Sequence, residues 1–191
     1  MQIKHSTDKD INIKILRKRM ITLGPKVHVV ITNKQKKVKI PKGLRMLIRR
    51  SCTAVLTIEN FSENAEISVV FTDDEGIRDL NSKFRKLDSP TDVLSFPLGK
   101  DGEWDVNHDT GDVLLGDIVI SMETAVRQAN EFGHDLSREI GYLVVHSMLH
   151  LLGYEHEKGG IEHLRMREKE EECLAKLGLG RDRSYYMGED E

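Results

Sequence analysis

Three of the chain's eight histidines stand close together at regular spacing, in the stretch His146-Ser147-Met148-Leu149-His150-Leu151-Leu152-Gly153-Tyr154-Glu155-His156. On a helix, residues four apart such as His146 and His150 lie about 5–6 Å apart at Cβ on one face. From there two imidazoles converge on one divalent ion at roughly 2.0–2.1 Å each. Gly153 is placed to adopt the left-handed conformation that ends a helix, turning the chain so that His156 reaches the same ion. Three protein nitrogens leave a fourth tetrahedral position open, which distinguishes catalytic from structural zinc and brings the pKa of a bound water to about 7. One Zn2+ per chain is therefore the expected cofactor.

The spacing H-x-x-x-H-x-x-G-x-x-H is also that of zinc peptidases, but those enzymes carry glutamate as general base directly after the first histidine. Here that position is Ser147, and a peptidase reading loses its proton acceptor. Glu155 and Glu157 flank the last histidine and are the nearest candidates for moving protons. His5, His28, His108, His134 and His163 have no partner at ligand spacing.

The elements that must hold this stretch follow from periodicity. Ile140, Leu143, Val144, Val145, Met148, Leu149, Leu151 and Leu152 make the histidine helix apolar nearly all round, so it is expected to be buried, capped by Asp135 or Ser137. Val27 to Thr32 reads as a strand, with a turn at Asn33 and a return at Val38 to Ile40. Pro41 opens a half-buried helix through Leu44, Leu47, Ile48, Cys52 and Val55. Glu66 to Thr72 is a second strand, and Thr72-Asp73-Asp74-Glu75 has capping-box form for a helix burying Ile77, Leu80 and Phe84. Pro90 and Pro97 bound an extended piece that belongs at a sheet edge. Gly99 to Gly111, with the only tryptophan, reads as a surface loop. Val113 to Ile120 is a strand with Asp117 as a carboxylate facing inward, Ser121 to Phe132 a helix, and Ile161 to Leu177 a charged helix.

At 191 residues the chain suits one core-bearing domain: residues 26–178 as a metal-dependent hydrolase domain, preceded by a basic extension over 1–25 and followed by a tail over 179–191. The net charge of −3 hides an asymmetry. Residues 1–50 carry fifteen Lys and Arg against Asp8 and Asp10, and the remainder is strongly acidic. A basic first third fits contact with a polyanion such as RNA. Two isolated cysteines, Cys52 and Cys173, suit reduced thiols. No run approaches the ~18 apolar residues of a membrane helix and no leader pattern precedes the domain, so a cytoplasmic protein without membrane contact is expected.

Four segments together resemble the YbeY family of bacterial endoribonucleases, metalloproteins linked to maturation of small-subunit ribosomal RNA. They are Leu80-Asn81-Ser82-Lys83-Phe84-Arg85, Asp88-Ser89-Pro90-Thr91-Asp92-Val93-Leu94-Ser95-Phe96-Pro97, Leu115-Gly116-Asp117-Ile118-Val119-Ile120 and the histidine stretch. They span most of Val27 to Leu177 in the family's order, and Met1 to Pro25 lies outside. The resemblance implies an α+β fold, a small mixed sheet packed by helices, zincin-like, with the metal-bearing helix buried. It implies His146, His150 and His156 as zinc ligands and Arg85 as the active-site arginine. It implies Asp117 as a contact for a protein of the small ribosomal subunit. The implied activity is zinc-dependent, single-strand-specific cleavage in 16S rRNA 3′-end maturation, ribosome biogenesis and quality control, with precursor rRNA and the small subunit as partners. Arginine suits this role independently, because its guanidinium offers a phosphate a bidentate fork and stays charged. Two rival functions share the site: a metal hydrolase of small molecules or peptides, and a ribosome-assembly factor whose zinc is structural.

Overall fold

The computed structural model describes residues 25–100, 103–155 and 160–180; residues 1–24 of the extension over 1–25 and most of the tail over 179–191 lie outside them. In chain order the elements are β1 (Val27–Asn33), α1 (Leu44–Ile58), β2 (Ala65–Thr72), α2 (Asp74–Arg85), β3 (Val93–Pro97), β4 (Gly99–Lys100), β5 (Glu103–Trp104), β6 (Val113–Ser121), α3 (Met122–Glu131), α4 (Leu136–Leu151) and α5 (Ile161–Leu177). The architecture is α+β. Its sheet is small and mixed, in the order β1-β2-β6-β3, with β1, β2 and β6 parallel and β3 antiparallel along one edge. No helix among the described residues is long and apolar enough to cross a membrane.

Alternation along the strands gives each face of the sheet its own layer. Ile67, Val69, Phe71, Ile118 and Ile120 point into the main core, where α1, α4 and α5 meet the sheet through Ile48, Cys52, Val144, Met148, Cys173 and Leu174. The opposite face carries Leu94 and Val119, covered by Ile77 of α2. The histidine helix α4 is thus sandwiched between the sheet and helices, with Asp135 as its N-cap accepting from Arg138 N–H. Both cysteines are buried and free.

Gly116 makes the close approach of α4 possible. Its φ of +143° is unsuited to a side chain, and an added Cβ would lie 2.3 Å from the Phe96 carbonyl oxygen and 2.9 Å from Leu151 Cδ2. At this point the end of the histidine helix rests against β6 without room for a methyl group.

Several local expectations are corrected. Val38 to Ile40 forms no strand: the Gln35 side chain accepts from Val38 N–H and donates to Val38 O, so side-chain bonds take the place of a ladder. β1 instead pairs in parallel with β2. The helix after Pro41 begins at Leu44, behind Gly43 at φ +84°. Asp73, not Thr72, caps α2 by accepting from Gly76 N–H. Phe84 is 53% exposed although the helical period places it with buried Ile77. It lies at the last turn of α2, over β3, and β3 is the sheet's edge, so among the described residues no further strand covers the ring. Asp117 is half-buried on the α2 face; the buried carboxylate at this strand is Asp112, which meets His28. The loop after β3 contains a two-stranded ribbon, β4 with β5, whose Trp104 packs on Phe61.

Candidate metal centre

From Glu139 to Leu151 every residue of α4 is buried except Tyr142, His146 and His150. Their spacing of four makes one stripe, the only part of this stretch turned from the core. His146 Nε2 and His150 Nε2 approach to 3.2 Å. Two ligands at 2.0–2.1 Å on a tetrahedral ion are about 3.3 Å apart.

The other nitrogen of each ring is held from outside. His146 Nδ1 is 2.7 Å from Glu170 Oε1 on α5, and His150 Nδ1 is 2.8 Å from the Tyr154 carbonyl oxygen. Both partners accept, so both Nδ1 atoms carry the proton, and in the neutral rings both Nε2 atoms present lone pairs. Two lone pairs face to face at this distance repel unless a cation sits between them. Carboxylate or carbonyl behind a histidine is the outer-shell arrangement that orients metal ligands. The residues therefore fit a divalent ion.

The turn at Gly153, φ +93°, builds half of that outer shell. Tyr154 N–H donates to Leu149 O, closing the helix, and the same residue's carbonyl reaches back to His150. The Tyr154 hydroxyl donates to Glu59 at the end of α1, and Lys169 of α5 pairs with the other oxygen of that carboxylate. One glutamate thus ties α1, the turn and α5 together. Burial, then the bond to Glu59, pushes the Tyr154 phenol up to about 12, so it remains a donor.

His156 and Glu157 lie outside the described residues, and among the described ones no three His, Cys, Asp or Glu side chains form a metal-holding group. Glu155 is exposed. Ser147 is fully buried, and among the described residues its hydroxyl finds no hydrogen-bond partner. The position that would hold a peptidase's general base here turns into the core.

A cavity of about 280 Å³ beside His146 is lined by Tyr142, His163, Met166, Arg167 and Glu170. Sequence spacing gave no sign of His163 or Glu170, both from the charged helix α5. Burial, followed by the charges of Glu170, Glu139 and Asp92, pushes Tyr142 up to about 12, so the cavity wall keeps a phenol proton. A larger opening of about 560 Å³, near Gly99 and Trp104, holds no histidine and lies at the β4–β5 ribbon. Of the two, only the smaller is bordered by a residue of the histidine stripe.

Arg85 ends α2, exposed, with Nη2 3.4 Å from the Ser95 carbonyl oxygen of β3. Since α4 packs against β3, this contact sets the arginine on the strand that borders the histidine helix. Asp117 pairs across the ladder with Phe96 and so stands on the sheet face opposite α4. It is not brought to the histidines.

The family described as endoribonuclease YbeY matches residues 30–178. Curated proteins named endoribonuclease YbeY resemble the chain closely: that of Pelotomaculum thermopropionicum is 47% identical over 153 residues, covering 80% of this chain and 99% of its own length. That of Caldanaerobacter subterraneus is 48% identical over 160 residues, covering 81% of this chain and all of its own. The solution structure of TM1509 from Thermotoga maritima shares the fold, with a TM-score of 0.50, 23% identity, and coverage of 85% of this chain and 97% of its own.

Proposed function

The chain belongs to the endoribonuclease YbeY family, and from that membership we propose a zinc-dependent endoribonuclease that cuts single-stranded RNA in the maturation of 16S rRNA 3′ ends, within biogenesis and quality control of the small ribosomal subunit. RNA cleavage, and so hydrolase chemistry, is the activity its curated relatives carry in their names. The observation that carries the metal reading is the 3.2 Å approach of two Nε2 atoms whose Nδ1 partners both accept.

In this reading His146 and His150 hold the zinc, His156 is the third ligand, and the site is zincin-like in its use of one buried helix. When bound, the zinc supplies Lewis-acid polarisation of a phosphoryl oxygen and acidifies water. Glu170 and the Tyr154 carbonyl fix the ligand tautomers. Arg85 clamps the scissile phosphate, stabilising charge that builds on it during attack. Asp117, half-buried across the sheet, is the proposed contact for a small-subunit protein.

Peptide hydrolysis is disfavoured by two features. One is buried Ser147 in place of a base. The other is the outer edge of β3. Asp92 O accepts from Ser121 N–H and Leu115 O from Leu98 N–H, so the backbone groups of Val93, Ser95 and Pro97 face outward. There Val93 N–H is taken by the Asp92 side chain, Ser95 O by Arg85, and Pro97 has no N–H. A peptide strand would find little ladder to join.

The test is cleavage of a precursor containing the 16S 3′ end by purified protein, with zinc content measured alongside. Activity lost on chelation, regained with zinc, and absent in His150→Ala while circular dichroism is kept would support the nuclease. Cleavage indifferent to chelation would reject the zinc. A folded His150→Ala that still binds rRNA, beside a wild type that never cuts, would favour the assembly factor.

A further inference from the structure

The reading of single-stranded RNA as substrate leaves one exposed feature without a role. Phe84 and Leu87 are 53% and 59% exposed, and they alternate with Lys83, Arg85 and Lys86 in five consecutive residues. An open aromatic ring costs hydrophobic free energy unless something covers it. Two contacts hold this ring without covering it. Phe96 meets it edge-to-face at 5.2 Å between centroids, and Lys83 Nζ stands 5.1 Å from its centre.

From Lys83 to Leu87 every charge is positive. The nearest following carboxylate, Asp88, is engaged by Arg78 through Nε to Oδ1 at 2.7 Å and Nη2 to Oδ2 at 2.9 Å. Lys86, at φ +63°, closes the helix, and among the described residues its ammonium is bound only to the Lys83 carbonyl, at 3.1 Å. A cationic rim about an exposed ring is the arrangement that binds unpaired nucleotides, because every base has a π-face and every linkage a negative phosphate.

We infer that Lys83, Phe84, Arg85 and Lys86 form a seat for one unpaired nucleotide of the RNA strand, the Phe84 ring taking the base and the cations its flanking phosphates. The inference rests on the single-strand nuclease reading and extends it: the strand is gripped at a base beside the phosphate that Arg85 clamps. Lys83, now over the ring, moves to a phosphate when the base stacks. A duplex, with its bases already stacked, gains nothing from Phe84.

The experiment measures binding of a fluorescein-labelled twelve-nucleotide single-stranded RNA, and of its duplex, by anisotropy with zinc chelated, using the full chain. Phe84→Leu is expected to weaken single-strand binding roughly tenfold or more while leaving duplex binding unchanged, and Phe84→Tyr to retain it. Lys83→Ala with Lys86→Ala should flatten the salt dependence of binding. Phe84→Trp supplies a second readout that does not depend on comparing folds: RNA should quench its fluorescence beyond any change seen for Trp104 in the wild type. Single-strand binding by Phe84→Leu equal to the wild type, or an unquenched Phe84→Trp, would overturn the seat. Either result beside a wild type that still cuts RNA leaves the nuclease standing and points to a protein partner for the patch. A wild type that neither binds nor cuts the RNA overturns both.

Discussion

Glu170 of α5 stands 2.7 Å from His146 Nδ1 of α4, twenty-four residues away along the chain, and is itself buried. A carboxylate in this place orients the ring and raises its basicity toward a metal. Its effect on a bound ion would pass only through the histidine.

Glu170→Ala is therefore expected to lower zinc affinity about 10- to 100-fold, read by competition with a chelating dye. Glu170→Gln, which still accepts from Nδ1–H, should lose less. Equal affinity in all three proteins would remove Glu170 from the centre.

Arg85 is exposed and, among the described residues, bound to the fold by one long bond to Ser95 O, so its removal should spare stability. Arg85→Ala is expected to reduce RNA cleavage by about 10²–10³-fold, the scale of a lost charge-stabilising donor, with an unchanged melting temperature. Arg85→Lys should recover little, because an ammonium is a point charge and no fork. Full activity in the lysine variant would show that position 85 needs only charge.

Gly116→Ala tests the seating of α4. The added methyl meets the Phe96 carbonyl and Leu151, and φ +143° strains any side chain. Urea unfolding should show a loss of about 2–5 kcal/mol from strain and overpacking together. A loss below 0.5 kcal/mol would mean that helix and sheet part easily here.

Glu139, buried near the start of α4, has its carboxyl pushed up to about 7, first by burial and then by the charge of Asp92. The folded state then holds a proton that the unfolded chain releases near its ordinary 4.5. Between these values the native form binds more protons, so this group's contribution to stability falls as pH rises and is lost above about 7. His134 Nε2 stands 3.0 Å from the Glu139 carboxylate. Glu139→Gln should match the wild type at pH 5 and exceed it by about 1–3 kcal/mol at pH 8. A wild type whose unfolding free energy, relative to the variant, rises across this range would reverse the assignment.

The sequence by itself determined what is local. A spacing of four histidine positions on an apolar run dictates one helical face, because the helical period requires it, and α4 carries His146 and His150 on such a stripe. Ser121 as the start of α3, the bounds of α5 and the edge placement of the Pro90–Pro97 segment are equally short-range, fixed by torsion angles and by donors that proline lacks; between Asp135 and Ser137 as cap of α4 the structure decides for Asp135. The role proposed for Arg85 rests on several motifs in one order, since one arginine at a helix end looks like any solvated cation. Tertiary structure decided the rest. Glu168, Glu170, Glu171 and Glu172 are interchangeable along the chain, and only the packing of α5 on α4 selects Glu170 for His146. His163 enters the cavity wall for the same reason. Phe84 obeys the helical period yet stays open, because burial needs a neighbour and β3 is where the sheet ends. Periodicity states which way a side chain points from its own element; what it meets there depends on elements far away in the chain.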